Sequence, residues 1–181
     1  VASSLIPDII RRIHDIYPDA PVQLTQRITA INDTSSFDFT VTSREPEDTF
    51  NAISLLNEEI YVGTAGNEFK TKTINPDLLA NYPIVGLGPH NPLRDTIDKY
   101  FAERGLHLNY QYESDDPATI RELLLHHAGI GFIPSVTWNR IGRQLNLVRI
   151  KEDAPSRSIY LVEGKQVEDK ITRLLANELV N

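Results

Sequence analysis

Asp116-Pro117-Ala118-Thr119-Ile120-Arg121-Glu122-Leu123-Leu124-Leu125-His126-His127-Ala128-Gly129-Ile130-Gly131-Phe132-Ile133-Pro134 is the stretch on which the fold turns. Asp116 is a helix N-cap, and Pro117 takes the first helical position, where its missing N–H is no loss. Ile120, Leu123 and Leu124 then recur at helical spacing, and Gly129 stops the helix. The β-rich run 131–133 follows at once. A capped helix, a glycine stop and a short apolar strand in succession make one αβ unit.

The same grammar extends outward. Upstream, Asn91-Pro92 opens a helix with Leu93, Ile97, Tyr100 and Phe101 on one face, closed by Gly105. Ser3 or Ser4 caps a first helix carrying Ile6, Ile9, Ile10, Ile13 and Tyr17, which ends before Pro18. A last helix shows Val167, Ile171, Leu174, Leu175 and Leu179, and shorter turns follow Asn75-Pro76 and Pro134. Between the helices lie strand-like runs at 22–25, 37–42, 59–62, 84–87, 108–112, 131–133, 145–150 and 159–162. Alternating strands and helices predict an α/β layer fold.

Composition narrows the function. With 40% hydrophobic and 24% charged residues, the 181-residue chain reads as an ordinary globular protein. Its net charge of −7, with 18 scattered Lys and Arg, offers no electrostatic footprint for a phosphate backbone. DNA binding, if any, is expected in a part of the protein absent here. No stretch approaches the ~18 uninterrupted apolar residues of a membrane span, and the start, Val1 to Pro7, lacks the pattern of a secretory signal. A soluble compartment is expected, and the absence of Cys is compatible with the cytoplasm.

Catalytic and cofactor motifs fail in turn. Gly129-Ile130-Gly131 invites a dinucleotide reading, but Pro134 stands where a third glycine is needed. His126 and His127 sit late on a helix, and His14, His90 and His107 supply no partners at metal-ligand spacing. There is no nucleophile elbow, P-loop or carboxylate pair placed for acid and base work. No cofactor, no metal and no enzyme are expected. Trp138 is expected to pack under the short helix after Pro134.

Four segments carry a family resemblance: Ser3-Ser4-Leu5-Ile6-Pro7 through Tyr17-Pro18-Asp19; Phe37-Asp38-Phe39-Thr40-Val41; Leu55-Leu56-Asn57-Glu58-Glu59-Ile60-Tyr61-Val62; and the stretch quoted at the outset. In this order they resemble the effector-binding domain of bacterial LysR-type transcription regulators, over nearly the whole chain. The chain departs from that pattern where the family's first strand should precede Val1, in a short interval between Val22 and Asp38 without the expected Gly, and after Val162. The resemblance implies two Rossmann-like lobes with mixed sheets, joined by two crossover segments as in type II periplasmic binding proteins. Lobe I would be 1–64 plus 157–181 and lobe II 65–156, with the winged-helix DNA-binding domain outside this chain. The effector would lie in the interlobe cleft, at carboxyl ends of strands.

The same resemblance places an effector contact at the start of the first helix, at Ser3 and Ser4. In the cleft it implies, the further candidates are Thr42, Ser43 and Thr64 at strand ends, Gly88, Pro89 and His90 in a strand-to-helix loop, and Gly131 and Phe132 by the cleft wall. Each has a plainer reading beside it. Ser3 or Ser4 is otherwise an N-cap worth ~1 kcal/mol. Gly86 to Asn91 is otherwise an ordinary strand-to-helix loop with a solvated His90, and turn hydroxyls such as Thr42, Ser43 and Thr64 commonly bond their own backbone. A small organic anion or amino-acid-like metabolite suits hydroxyls, amides and a helix N-terminus. The resemblance also implies an antiparallel homodimer, a tetramer at full length. It would set Ile6, Ile9, Ile10 and Ile13 of the first helix beside Ile97 and Phe101 of the partner's 92–104 helix. A stand-alone solute receptor for a transporter and an enzyme on a similar scaffold are the rival readings. A winged helix-turn-helix upstream would favour the regulator, a signal peptide the receptor.

Overall fold

The structure is a computed structural model that describes residues 6–19, 21–25, 37–46 and 52–164. The chain divides into two compact units, Val1–Asn57 with Ser158–Asn181, and Glu58–Arg157. Both passages between units occur in mid-strand. No described helix is long and apolar enough to cross a membrane.

In the first unit, helix α1 (Ile6–Ile16) buries Ile9 and half-buries Ile6, Ile10 and Ile13, while Arg11 and Asp15 pair along its outer face. Strand β1 (Phe39–Thr42) runs antiparallel to β8 (Ser156–Glu163), with Thr42 opposite Tyr160 and Phe39 opposite Glu163. The strand expected at 22–25 does not form: residues 21–25 have no regular structure and are all exposed. Val22 and Leu24 have β propensity but no buried face to serve, and propensity alone does not hold a strand. The helix expected at 167–179 lies outside the described residues.

The second unit is better furnished. Its elements are β2 (Ala52–Thr64, entering at Glu58), β3 (Thr73–Ile74), α2 (Pro76–Leu79), β4 (Pro83–Gly86), α3 (Pro92–Ala102), β5 (Asn109–Glu113), α4 (Pro117–Leu125), β6 (Gly131–Pro134), α5 (Asn139–Gly142) and β7 (Asn146–Ile150). β5 and β4 are parallel, and β4 joins the start of β6 through a parallel bridge at Ile84 and Ile130. β6 is antiparallel to β2, β2 is antiparallel to β7, and β7 is parallel to β3. A mixed sheet results, in which β3, β4, β5, β6 and β7 all run the same way and β2 alone runs against them. Ile84, Ile120, Leu124, Ile130, Ile133, Val148 and Ile150 form the centre of the unit's core, each essentially sealed from water.

Two of the helices start as the sequence dictates. The Asn91 side chain accepts from Leu93 N at 3.0 Å, and the Asp116 carboxylate accepts from the N–H groups of Ala118 and Thr119, each at 3.1 Å. Both caps satisfy amides that a helix N-terminus leaves without partners. Gly129 closes the turn after α4 against the backbone: a Cβ there would stand 2.2 Å from the Pro83 carbonyl oxygen.

Candidate functional site

Because five strands of the second unit point one way, their carboxyl ends share an edge, which is where open α/β sheets present ligand-binding loops. Three loops leave this edge: 87–91 after β4, 114–116 after β5 and 135–138 after β6. Tyr110 stands at the exit of β4. Its ring lies so close to Gly86 that a Cβ there would meet Tyr110 Cε1 at 2.7 Å, so the strand exit needs glycine. The other partner of the ring is the Arg94 guanidinium, whose central carbon is 3.1 Å from the ring centroid.

Arg94 is spent on this corner. Nε donates to Asp98 at 2.6 Å, and Nη1 donates to Glu113 at 2.6 Å and to the Leu87 carbonyl at 3.0 Å. Tyr110 completes the ring of contacts through its hydroxyl, which donates to Asp98 at 2.9 Å. Burial pushes the Tyr110 phenol well up and the Asp98 carboxylate pushes the same way, so it stays a neutral donor. For Arg94, burial works against the charge, but hydrogen bonding to Glu113, followed by the hydrogen bond and field of the Asp98 carboxylate, outweighs it and raises its pKa.

Beneath loop 87–91 lies a cavity of about 10 Å³, lined by Leu87, Leu93, Ile97, Phe132 and Trp138, which has room for a single water at most. Above it the loop offers donors. Among the described residues the N–H groups of Gly88 and His90 meet no protein acceptor, and His90 is exposed with φ +67°. Asp115 flanks the loop, its Oδ1 3.1 Å from where a Gly88 Cβ would be.

A second polar cluster stands on the same edge, where the two passing strands meet the unit. Glu58, 1% exposed, accepts from Val136 N at 3.1 Å and Thr137 N at 2.8 Å through Oε2, and from the Thr137 hydroxyl at 2.9 Å and Arg157 Nε at 2.8 Å through Oε1. Arg157 Nη2 also donates to the Thr137 hydroxyl at 2.9 Å. Burial lowers the Arg157 pKa, with Glu58 opposing the shift.

The expected contact residues are scattered. Gly88, Pro89 and His90 sit together on the loop just described, and Phe132 lines the cavity below while packing against Phe101 at 5.5 Å between centroids. Gly131 is interior: a Cβ there would press on Leu124 at 2.8 Å and on the Val85 carbonyl at 3.2 Å. Thr64 departs furthest. It ends β2, which runs against its neighbours, so it lies at the opposite edge of the sheet from loop 87–91 and does not join that site. Its hydroxyl donates to the Gly66 carbonyl at 2.8 Å within its own turn. In the first unit Thr42 accepts from Arg44 N at 3.1 Å, again the hydroxyl-turn arrangement, and Ser43 follows it half-buried. Ser3 and Ser4 lie outside the described residues.

For the expected dimer contacts, Ile97 is 4% and Phe101 1% exposed inside the unit's own core, so their side chains are not at a surface. The apolar stripe on α3 serves its own sheet, and the face left outward carries Asp95, Lys99 and Ala102. Sequence reasoning passed over Arg94, Tyr110, Glu58 and Arg157. Only Arg94 and Asp98, a salt bridge at helical i,i+4 spacing, left a local signal. Among the described residues no group of His, Cys, Asp or Glu is placed to hold a metal.

Comparison with known proteins agrees with this architecture. No curated protein matches the chain by sequence. Among solved structures, the regulatory domain of CcmR from Synechocystis PCC6803, in complex with 2-PG, superposes with a TM-score of 0.81 at 17% identity, covering 99% of this chain and 91% of that one. The effector-binding domain of QuiR in complex with shikimate gives 0.77 at 18% identity, over 97% and 88%. The reduced form of OxyR from N. meningitidis gives 0.77 at 18%, over 100% and 90%. The fold is therefore the periplasmic-binding-protein-like α/β fold with mixed sheets that the sequence led us to expect. Residues 1–179 match the LysR substrate binding domain, and the chain belongs to that family.

Proposed function

We propose that this chain is the small-molecule sensor of a bacterial LysR-type regulator, working without catalysis in the cytoplasm and reaching DNA only through a domain outside these 181 residues. The observation that carries the reading is the pair of amides on loop 87–91, Gly88 and His90, which among the described residues have no protein acceptor and stand at the carboxyl ends of parallel strands. Free donors held on a rigid sheet edge suit the oxygen atoms of a small metabolite. Asp115 beside them suits an ammonium or hydroxyl, so an organic acid carrying such a donor, or an amino-acid-like compound, fits both. Two relatives of the same fold are complexes with shikimate and 2-PG. The net charge of −7 agrees with DNA contact made elsewhere. The regulatory lobes of this sensor would follow the two compact units, 1–57 with 158–181 and 58–157, so that the first passage falls before residue 58 rather than at the expected residue 64.

Signalling then requires only that the effector prefer one conformation of the domain over another, and the difference in affinity is the whole of the available signal. The test is a thermal-shift screen against carboxylate, phosphate and amino-acid metabolites, followed by amide NMR of the hits. A genuine effector at ~100 times its Kd adds ~2.7 kcal/mol of stability, moves the Gly88 and His90 resonances and is recovered chemically unchanged. Turnover of a hit, or hits that leave both resonances in place, would refute the reading.

A further inference from the structure

We propose that Arg94 is a positioning residue that holds loop 87–91 in its binding-ready shape; the proposal rests on the reading of that loop as the effector contact. The loop is tethered at both ends. At its start the Leu87 carbonyl accepts from Arg94 Nη1 at 3.0 Å, and at its end Asn91 is fixed as the cap of α3, accepting from Leu93 N at 3.0 Å. Between the tethers Pro89 restricts φ and His90 is held left-handed at +67°. The amides of Gly88 and His90 owe their directions to these two anchors.

The anchor at Leu87 is strong because Arg94 is held by two carboxylates and a ring. Its side chain is 15% exposed, Nε and Nη1 are committed to Asp98 and Glu113, and its face is covered by Tyr110. A planar fork that meets three acceptors while stacking on a ring is a task for guanidinium; a Lys ammonium brings one point charge and no plane. In this role Arg94 acts through the loop rather than by touching the effector. It ties the exit of β4, the first turns of α3 and the end of β5 into one corner, so the loop meets the effector already ordered, which spares the ordering entropy that binding otherwise costs.

The test is backbone ¹⁵N relaxation on the 181-residue chain, with Arg94→Met, Arg94→Lys and Glu113→Gln compared to the parent. We expect order parameters of about 0.85 at Gly88 and His90 in the parent and below about 0.6 in both Arg94 variants, with Val62 and Val148 staying near 0.85 in all. Glu113→Gln keeps an acceptor for Nη1 and should leave the loop ordered. Unchanged order parameters at Gly88 and His90 in folded Arg94→Lys would overturn the proposal, even if the variant melts at a lower temperature. Shikimate and 2-PG, with the amino acids, serve as probes of the underlying reading. A loop that loosens in Arg94→Met but whose resonances ignore every metabolite in the parent would keep the role of Arg94 and discard the loop as effector contact.

Discussion

Glu58 is a carboxylate with almost no access to water, and its two oxygens are matched by two backbone N–H groups, one hydroxyl and one guanidinium. Such a group is costly to bury and more costly to orphan. Glu58→Ala, which takes the carboxylate from Arg157 and the acceptor from Val136 and Thr137, is expected to lower stability by about 3–5 kcal/mol. Glu58→Gln, which keeps one acceptor oxygen, should lose clearly less. Urea unfolding followed by circular dichroism checks both, and equal losses would mean that the carboxylate charge facing Arg157, which both variants remove, dominates over the acceptor that Gln keeps. Gly129→Ala is a second test at this scale. The added methyl meets the Pro83 carbonyl, whose oxygen accepts from Ile130 N at 3.0 Å, and no rotamer relieves a clash with backbone, so a loss of about 3 kcal/mol is expected. Gly129 was legible as a helix stop, but Glu58 was not. In Asn57-Glu58-Glu59 one glutamate is sealed and the next half-exposed, and the partner that decides the matter, Arg157, stands 99 residues away in sequence.

At the scale of elements, what the sequence revealed best was punctuation. Asn91-Pro92 and Asp116-Pro117 announced α3 and α4 because a cap acts on residues two or three positions away, within reach of a sequence window. Asn91→Ala is accordingly expected to cost about 1 kcal/mol by exposing the Leu93 amide, measured by the same urea titration. Asp116 adds a pH dependence. The Thr119 hydroxyl, then the Ala118 and Thr119 amides, hold its carboxyl below the usual carboxylate range. Its folded pKa is depressed, so its contribution is complete above the unfolded value near ~3.9 and is lost as pH falls through the folded one. In Asp116→Asn the slope of stability against pH below about 5 should flatten relative to the parent, and an unchanged slope would assign the acid sensitivity to other carboxylates. Direction was harder to read than punctuation. Nothing within residues 52–64 says that β2 runs against its neighbours, so the sequence does not reveal that Thr64 ends at the edge opposite loop 87–91. The stripe of Ile97 and Phe101 is equally silent: helical periodicity marks a face that must be covered, without saying whether the cover is the unit's own sheet or another subunit.

For the whole molecule, the passages between units fall at Asn57 and Glu58 and at Arg157 and Ser158, inside continuous strands, so no turn residue marks either point in the sequence. Assembly is the expectation to test here. We propose a homodimer through α1, whose Ile6, Ile10 and Ile13 are only half-buried, against the outward face of the partner's α3 at Asp95, Lys99 and Ala102. Sedimentation at micromolar to millimolar concentration should show a dimer, and Ile10→Glu a monomer with unchanged circular dichroism; a parent that stays monomeric throughout would remove α1 from consideration. One further consequence follows from where Trp138 stands. It is the only tryptophan in the chain, nearly buried against the small cavity under loop 87–91 and one residue beyond Thr137, which Glu58 and Arg157 hold in place. Excited near 295 nm, the domain thus emits from a single indole set between the proposed contact loop and the strands that leave the unit, and its colour and brightness report on both without any label.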